Sequence, residues 1–97
     1  MKDAELLNLS KLFKMFADTN RLAILDAISK KECSVNEISE LVNMSQSAVS
    51  HSLALLKRNG IIVSRSVANK RYYSLKDEHI VNIFELAKVH ALNCGCE

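Results

Sequence analysis

With 97 residues, about half of them apolar, the chain suits one compact domain that buries a smaller share of its surface than a large protein does, so extra burial at a subunit interface would help it. It has no proline, and Gly60 and Gly95 are its only glycines, which argues against a linker, a low-complexity tract or a second domain; no apolar run approaches a membrane span. The net charge of +2 hides a concentration: from Leu41 through Lys76 there is no aspartate or glutamate, yet Lys57, Arg58, Arg65, Lys70, Arg71 and Lys76 all fall there. The rest of the chain is therefore net acidic, and the basic stretch is either a solvated face or the electrostatic footprint of a polyanion site.

In chain order, Leu6, Leu9, Phe13 and Phe16, widened by Leu12, recur at helical spacing until Asp18-Thr19-Asn20 ends a first helix with N-cap residue types. Leu22, Leu25 and Ile28 mark a second amphipathic helix. Ser34, with Glu37 three residues on, makes a capping box ahead of Ile38, Leu41 and Val42, so a short third helix starts there. Asn43-Met44 supplies a turn, and Ser45 caps a fourth helix whose Val49, Leu53 and Leu56 face inward until Asn59-Gly60 provides a left-handed stop. Two helices joined by a tight turn make a helix-turn-helix candidate. Ile61-Ile62-Val63 and Tyr72-Tyr73 are strand formers, and Ala68-Asn69-Lys70 between them predicts a hairpin. From Asp77 onward Ile80, Phe84, Ala87 and Ala91, flanked by Ile83, give a last helix. The expected class is thus mainly α with a small two-stranded hairpin, in a single domain over residues 1–97.

The polar start Met1-Lys2-Asp3-Ala4-Glu5 does not open a secretory signal, so the cytoplasm is the expected compartment. Cys33, Cys94 and Cys96 are odd in number, and a reduced compartment favours thiol or metal chemistry over a disulfide framework. No nucleophile with a placed base and no phosphate loop is visible, so an enzyme is not expected, and no organic cofactor is implied.

On the fourth helix Gln46, Ser47, Ser50 and His51 project from the side opposite Val49 and Leu53. Gln46 has the groups to pair bidentately with an adenine edge, while Ser45, Ser47 and Ser50 sit near the positive end of the helix dipole and suit bases or phosphates. Lys57 and Arg58 would reach the backbone of a duplex, and Arg65, Lys70 and Arg71 around the hairpin would position it rather than read it. Simple solvation of a wet helix face is the plainer account of these polar positions.

The run Ser45-Gln46-Ser47-Ala48-Val49-Ser50-His51-Ser52-Leu53-Ala54-Leu55-Leu56-Lys57, followed by Gly60-Ile61-Ile62-Val63 and Arg71-Tyr72-Tyr73-Ser74-Leu75, resembles the winged-helix core of the ArsR/SmtB metalloregulatory repressors, and Asp18-Thr19-Asn20-Arg21-Leu22 resembles that family's second-helix opening. The likeness spans roughly residues 12–93. It implies a winged helix-turn-helix that dimerises through its terminal helices, represses transcription at a palindromic double-stranded operator, and lets go when an effector arrives. The family's arsenic-type site resembles Cys-Val-Cys at the start of the third helix, but here Cys33-Ser34-Val35-Asn36 puts serine and asparagine in the two cysteine places. Cys33 reads instead as a small, partly buried thiol.

The last helix carries His79 and His90, eleven residues apart; they share nearly one face but stand about 16 Å apart along the axis, so one ion cannot touch both on one helix. Two copies packed antiparallel across a two-fold axis would bring them together twice. Asp77 can join His79 only from an N-cap conformation, which aspartate favours. Asp77-x-His79 with His90 downstream resembles the family's interhelical zinc-type site at three of its four positions. Asn93 occupies the fourth, where a neutral amide is a poor donor; Cys94, four residues after His90, offers a thiolate instead, and Cys96 is a spare. Such a mixed set suits zinc and, through sulfur, cadmium. Residues of about 77–94 are thus the expected dimerisation and metal-sensing segment. The rivals are a repressor that responds to thiol oxidation at Cys94 and Cys96 or lacks an effector site, and, from another class, a small metal-buffering or interaction protein.

Overall fold

The computed structural model describes residues 1–93. Its elements are helix α1 (Asp3–Phe16), helix α2 (Thr19–Lys30), strand β1 (Cys33–Ser34), helix α3 (Val35–Val42), helix α4 (Gln46–Arg58), strand β2 (Ile62–Val67), strand β3 (Lys70–Leu75) and helix α5 (Glu78–Asn93).

The helix starts follow local chemistry. Asp18 caps α2 by accepting from the Arg21 backbone N–H at 2.9 Å, and Ser45 caps α4 by accepting from Ala48 N at 3.1 Å. At α3 the capping box is closed in both directions: Ser34 Oγ accepts from Glu37 N at 3.3 Å, and Ser34 N donates to Glu37 Oε1 at 2.9 Å. Asn43 ends α3 in the left-handed region (φ 55°), and Gly60 turns the chain out of α4 at φ 74°. Arg21 also reaches back to the end of α1, where Nε donates to Met15 O at 3.0 Å and an Nη to Lys14 O at 2.7 Å. Both carbonyls lie in the last turn of α1, where the regular helical bonds run out, and Lys14 O also accepts from Ala17 N at 3.2 Å.

The sheet has three antiparallel strands in the order β1-β3-β2, one more than the two-stranded hairpin expected. Strand β1 is two residues long, too short to show an alternating pattern, and exists because Cys33 and Ser34 pair with Tyr73 and Tyr72. Between β2 and β3 the register runs from Ile62 opposite Leu75 to Val67 opposite Lys70. The connecting residues Ala68 (φ 49°) and Asn69 (φ 68°) form a two-residue turn of the I′ kind, whose twist matches the flanking strands.

One core gathers Ile24, Leu25 and Ile28 of α2, Cys33, Ile38, Val49, Leu53 and Leu56 of α4, Ile61, Ile62, Leu75, and Ile80 and Phe84 of α5. The inward face of α2 is rotated from the expected one: Ile24 is buried and Leu22 is exposed, because Ile24 and Ile28 stack four apart on a helix that packs against α3 and β3. On α3, Ile38 and Val42 set the inward side and leave Leu41 outside. The largest departure is α1. Only Leu12, Met15 and Phe16 pack against the core, while Leu6, Leu9 and Phe13 of the predicted stripe stand exposed in the single protomer. Helix α5 behaves alike beyond Phe84, with Leu86, Val89 and Leu92 exposed.

Candidate nucleic-acid interface and effector site

Three inward residues hold α4: Val49, Leu53 and Leu56 are each at most 1% accessible. Away from these, Ser47, His51 and Arg58 stand on the opposite side and Gln46, Ser50 and Lys57 on one flank, every one exposed. Ser47, His51, Ala54 and Arg58 line one row at helical spacing, so a hydroxyl and an imidazole lead from the positive end of the helix toward the Arg58 cation, with Gln46, Ser50 and Lys57 along one flank of the row. No carboxylate lies between Leu41 and Lys76 to oppose an approaching phosphate.

The hairpin is tied to this helix. Lys57 Nζ donates to Ser64 Oγ at 2.8 Å. Ser64 stands opposite Tyr73, which packs on the core, so the pleat turns Ser64, Ser66, Arg71 and Tyr73 toward the helical side of the sheet. Val63, Arg65, Val67, Lys70, Tyr72 and Ser74 belong to the outer side. Lys70 and Arg71 flank the turn and are exposed.

Arg65 is placed differently from the other cations in the basic stretch. Its Nε donates to Glu32 Oε2 at 2.8 Å and an Nη donates to Glu32 Oε1, a bidentate fork. The hydrogen bond from Arg65 holds the Glu32 carboxyl below its ordinary range, and Glu32 in turn raises Arg65. Sequence reasoning missed Glu32: it lies 33 positions from Arg65, and no local pattern links the two.

At the start of α5, Asp77 takes the N-cap conformation that its joining His79 requires. Its Oδ1 accepts from Ile80 N at 3.1 Å, and its backbone carbonyl accepts from Val81 N at 3.1 Å. His79 Nδ1 lies 3.8 Å from that same Oδ1, and the imidazole is 85% exposed. A carboxylate and an imidazole therefore sit side by side at one end of the helix. His90 and Asn93 are exposed at the other end, while Cys94 and Cys96 lie outside the described residues. Among the described residues of one protomer, no three His, Cys, Asp or Glu side chains converge on a common point. Asp77 and His79 fit half of a tetrahedral N/O site for zinc.

Cys33 is fully rather than partly buried, and its Sγ donates to Lys31 O at 3.3 Å. Burial, assisted by the negative charge of Glu37, pushes the thiol up, so at neutral pH it is neither a thiolate ligand nor a ready nucleophile.

A capped second helix of a helix-turn-helix, exposed and free of acids, beside a two-stranded hairpin bearing cations at its tip, defines the winged helix-turn-helix class. The comparisons with known proteins agree. Residues 18–64 match the bacterial regulatory protein family arsR. The chain is 32% identical over 82 residues to a transcriptional repressor SmtB homologue of Synechocystis, covering 84% of this chain and 62% of that one. It is 37% identical to the transcriptional activator HlyU of Vibrio cholerae, over 86% of this chain and 75% of the relative. It is 34% identical to a cadmium resistance regulatory protein CadC homologue of Staphylococcus aureus, over 87% and 70%. The solved homodimeric winged helix-turn-helix DNA-binding domain of a possible ArsR-family regulator from Mycobacterium bovis superimposes with a TM-score of 0.86 at 29% identity, covering 94% of this chain and 87% of that one. The chain belongs to the ArsR family of bacterial transcriptional regulators. It spans less than two thirds of the SmtB homologue's length.

Proposed function

We propose that this protein is a metal-responsive transcriptional repressor that binds a palindromic operator as a homodimer and releases it when zinc or cadmium binds between the two copies of α5. The observation that carries the metal reading is the pairing of Asp77 with His79 at 3.8 Å at one end of a helix that carries His90 at the other. Asp77 and His79 of one subunit would meet the partner subunit's His90, with Cys94 or Asn93 in the fourth place. The similarity to a cadmium resistance regulator supports that assignment.

Residues 1–97 form one unit in this reading, with the segment of about 77–94 serving both dimerisation and sensing. The homodimeric state of the Mycobacterium bovis domain supports it, as do the apolar side chains that α1 and α5 leave uncovered. Ser45, Gln46, Ser47, Ser50 and His51 enter the major groove; Lys57, Arg58, Lys70 and Arg71 hold phosphates. A two-fold axis sets the spacing of the two α4 helices, and bound metal supplies a bridge between subunits that favours a different spacing, so affinity for the operator falls. A coupling of about 1–3 kcal/mol corresponds to a several-fold to hundredfold loss of occupancy. No helix among the described residues is long and apolar enough to cross a membrane. A chromosomal site of action would put the protein in the cytoplasm.

The test is fluorescence anisotropy of a duplex from upstream of the chain's own gene, titrated with zinc, cadmium and nickel. His79→Ala should bind the duplex normally and fail to release it with metal. Asp77→Asn is the cleaner partner variant, because asparagine keeps the cap while removing the anion. Normal release of His79→Ala by zinc would overturn the site. Release of the wild type by peroxide and not by metal would select a thiol-based response at Cys94 and Cys96, and absence of salt-sensitive duplex binding would remove the DNA reading altogether.

A further inference from the structure

Arg65 is a cation in the wing, where a contact to phosphate is the first expectation, yet its guanidinium is spent on Glu32. The register explains how. Arg65 and Ser34 both stand opposite Tyr72, on the two flanks of the central strand β3. Extending the β1 pairing by one residue places Glu32 level with Ser74, two positions along β3 and on the same side of the pleat. The fork between Arg65 and Glu32 therefore crosses the outer face of β3 and joins the two edge strands over it. This is the side turned away from α4, while Arg71 and Ser66 stand on the side turned toward it.

Besides the fork, the hairpin is held by the short β1 pairing along the free edge of β3 at Tyr72 and Tyr73, and by attachments at its base and on its inner face. Ile62 and Leu75 anchor the base in the core, and Lys57 holds Ser64 from the α4 side. The tip, with Lys70 and Arg71, extends beyond these attachments. Glu32 belongs to the segment joining α2 to β1, one residue before the strand that runs straight into the capped start of α3. A tie from Glu32 to Arg65 thus fixes the wing to the first helix of the helix-turn-helix.

We propose that Glu32 and Arg65 are positioning residues for DNA binding: their ion pair clamps the wing at a set angle to α3 and α4 so that Lys70 and Arg71 reach phosphates while α4 lies in the groove. The fork suits the task because a bidentate pair fixes direction as well as distance. Arg65 acts through the wing and touches no phosphate itself. This rests on the DNA-binding reading proposed above, and its test separates the two.

Arg65→Ala, Glu32→Ala and Arg65→Lys are compared with the wild type for anisotropy on the upstream duplex across a salt series, with hydrogen exchange of the β2 and β3 amides measured on the free proteins. Each variant should bind about two- to fivefold more weakly, the range an exposed ion pair can reach, with the salt slope unchanged. Glu32→Ala is the decisive case. It removes a negative charge and frees a cation, so a direct contact from Arg65 predicts tighter binding, whereas the clamp predicts weaker. The double variant Glu32→Ala/Arg65→Ala should be no weaker than either single, and the exchanged pair Glu32→Arg/Arg65→Glu should recover binding to within about twofold.

Faster exchange in β2 and β3 should accompany the losses and revert in the exchanged pair. Tighter binding of Glu32→Ala, a salt slope reduced by about 0.9 in Arg65→Ala, or wild-type exchange of the wing in all variants would overturn the clamp. If the wild type binds no duplex, the DNA reading fails, and the exchange data still decide whether Glu32 and Arg65 hold the wing.

Discussion

The middle of the chain and its two ends are both rich in apolar side chains but use them differently. From Ile24 to Leu75, the apolar residues at helical or strand spacing are mostly buried in the protomer's own core. In α1 no residue is buried, and Leu6 and Phe13 are half exposed; in α5 only Ile80 and Phe84 are buried, while Leu86 and Leu92 are more than 70% exposed. An amphipathic stripe records that a face will be covered, and it does not record by what. The central region satisfies its pattern alone, whereas the terminal helices leave theirs open, as the proposed dimer would require.

The comparison predicts two kinds of mutational response, and the larger belongs to the core. Leu53→Ala, at 1% exposure on α4, should lower unfolding stability by about 2–5 kcal/mol in urea titrations, independently of protein concentration. Leu86→Ala should alter the folded protomer little and instead raise the dissociation constant of the dimer in sedimentation equilibrium. A concentration-independent loss of comparable size at Leu86 would erase the distinction between the two regions.

Much of this was legible in the residues. The capping box of Ser34 and Glu37, the Ser45 cap, the inward set Val49, Leu53 and Leu56, and the left-handed Gly60 all rest on interactions within one or two turns of chain, which spacing encodes. Three features were not. Strand β1 is defined by its partner, not by its two residues. The rotation of the α2 face, which exposes Leu22 and buries Ile24, depends on which neighbours surround the helix. The fork of Glu32 with Arg65 joins residues that only the sheet brings together. At the proposed effector site the N-cap role of Asp77 was readable because aspartate favours it, whereas completing the proposed ligand set would require a partner subunit, and no single-chain pattern specifies one.

A smaller effect separates helices secured locally from those secured by packing. Ser34→Ala removes the acceptor for Glu37 N and should cost about 1 kcal/mol in thermal or urea unfolding. Glu37 adds a pH dependence. The Ser34 backbone N–H, then the Ser34 hydroxyl and Lys31, hold its carboxyl below the ordinary value of 4.5 against the opposing effect of burial. A carboxyl lowered on folding stabilises fully above its unfolded value, and that contribution is lost as pH falls through the folded one. Tm should therefore drop on acidification below the ordinary carboxylate range, and Glu37→Gln should flatten part of that drop. An identical acid limb in the variant would assign the loss to other carboxyls.

The smallest effect lies at the wing tip, where the local sequence and the conformation disagree. A two-residue I′ turn requires positive φ at both positions, and Asn-Gly is the pair that adopts it most readily. This chain places Ala68 at φ 49° and Asn69 at φ 68°, so alanine occupies a region that is unfavourable for a side chain with a Cβ by about 1–2 kcal/mol. The register from Ile62 to Val67 and the pinning of Arg65 by Glu32 hold the turn in place despite that preference. Ala68→Gly relieves the strain and also gives the unfolded chain more freedom, which offsets part of the gain by about 0.4–1 kcal/mol. The net result should be a stabilisation of a few tenths to about 1 kcal/mol, with duplex affinity unchanged, since neither residue supplies a cation. The double change Ala68→Asn/Asn69→Gly should do at least as well, because it installs the favoured pair in order. A destabilising Ala68→Gly would mean that the tip leaves the I′ conformation in solution, and the wing would then owe its shape to the strands and the Glu32 tie alone.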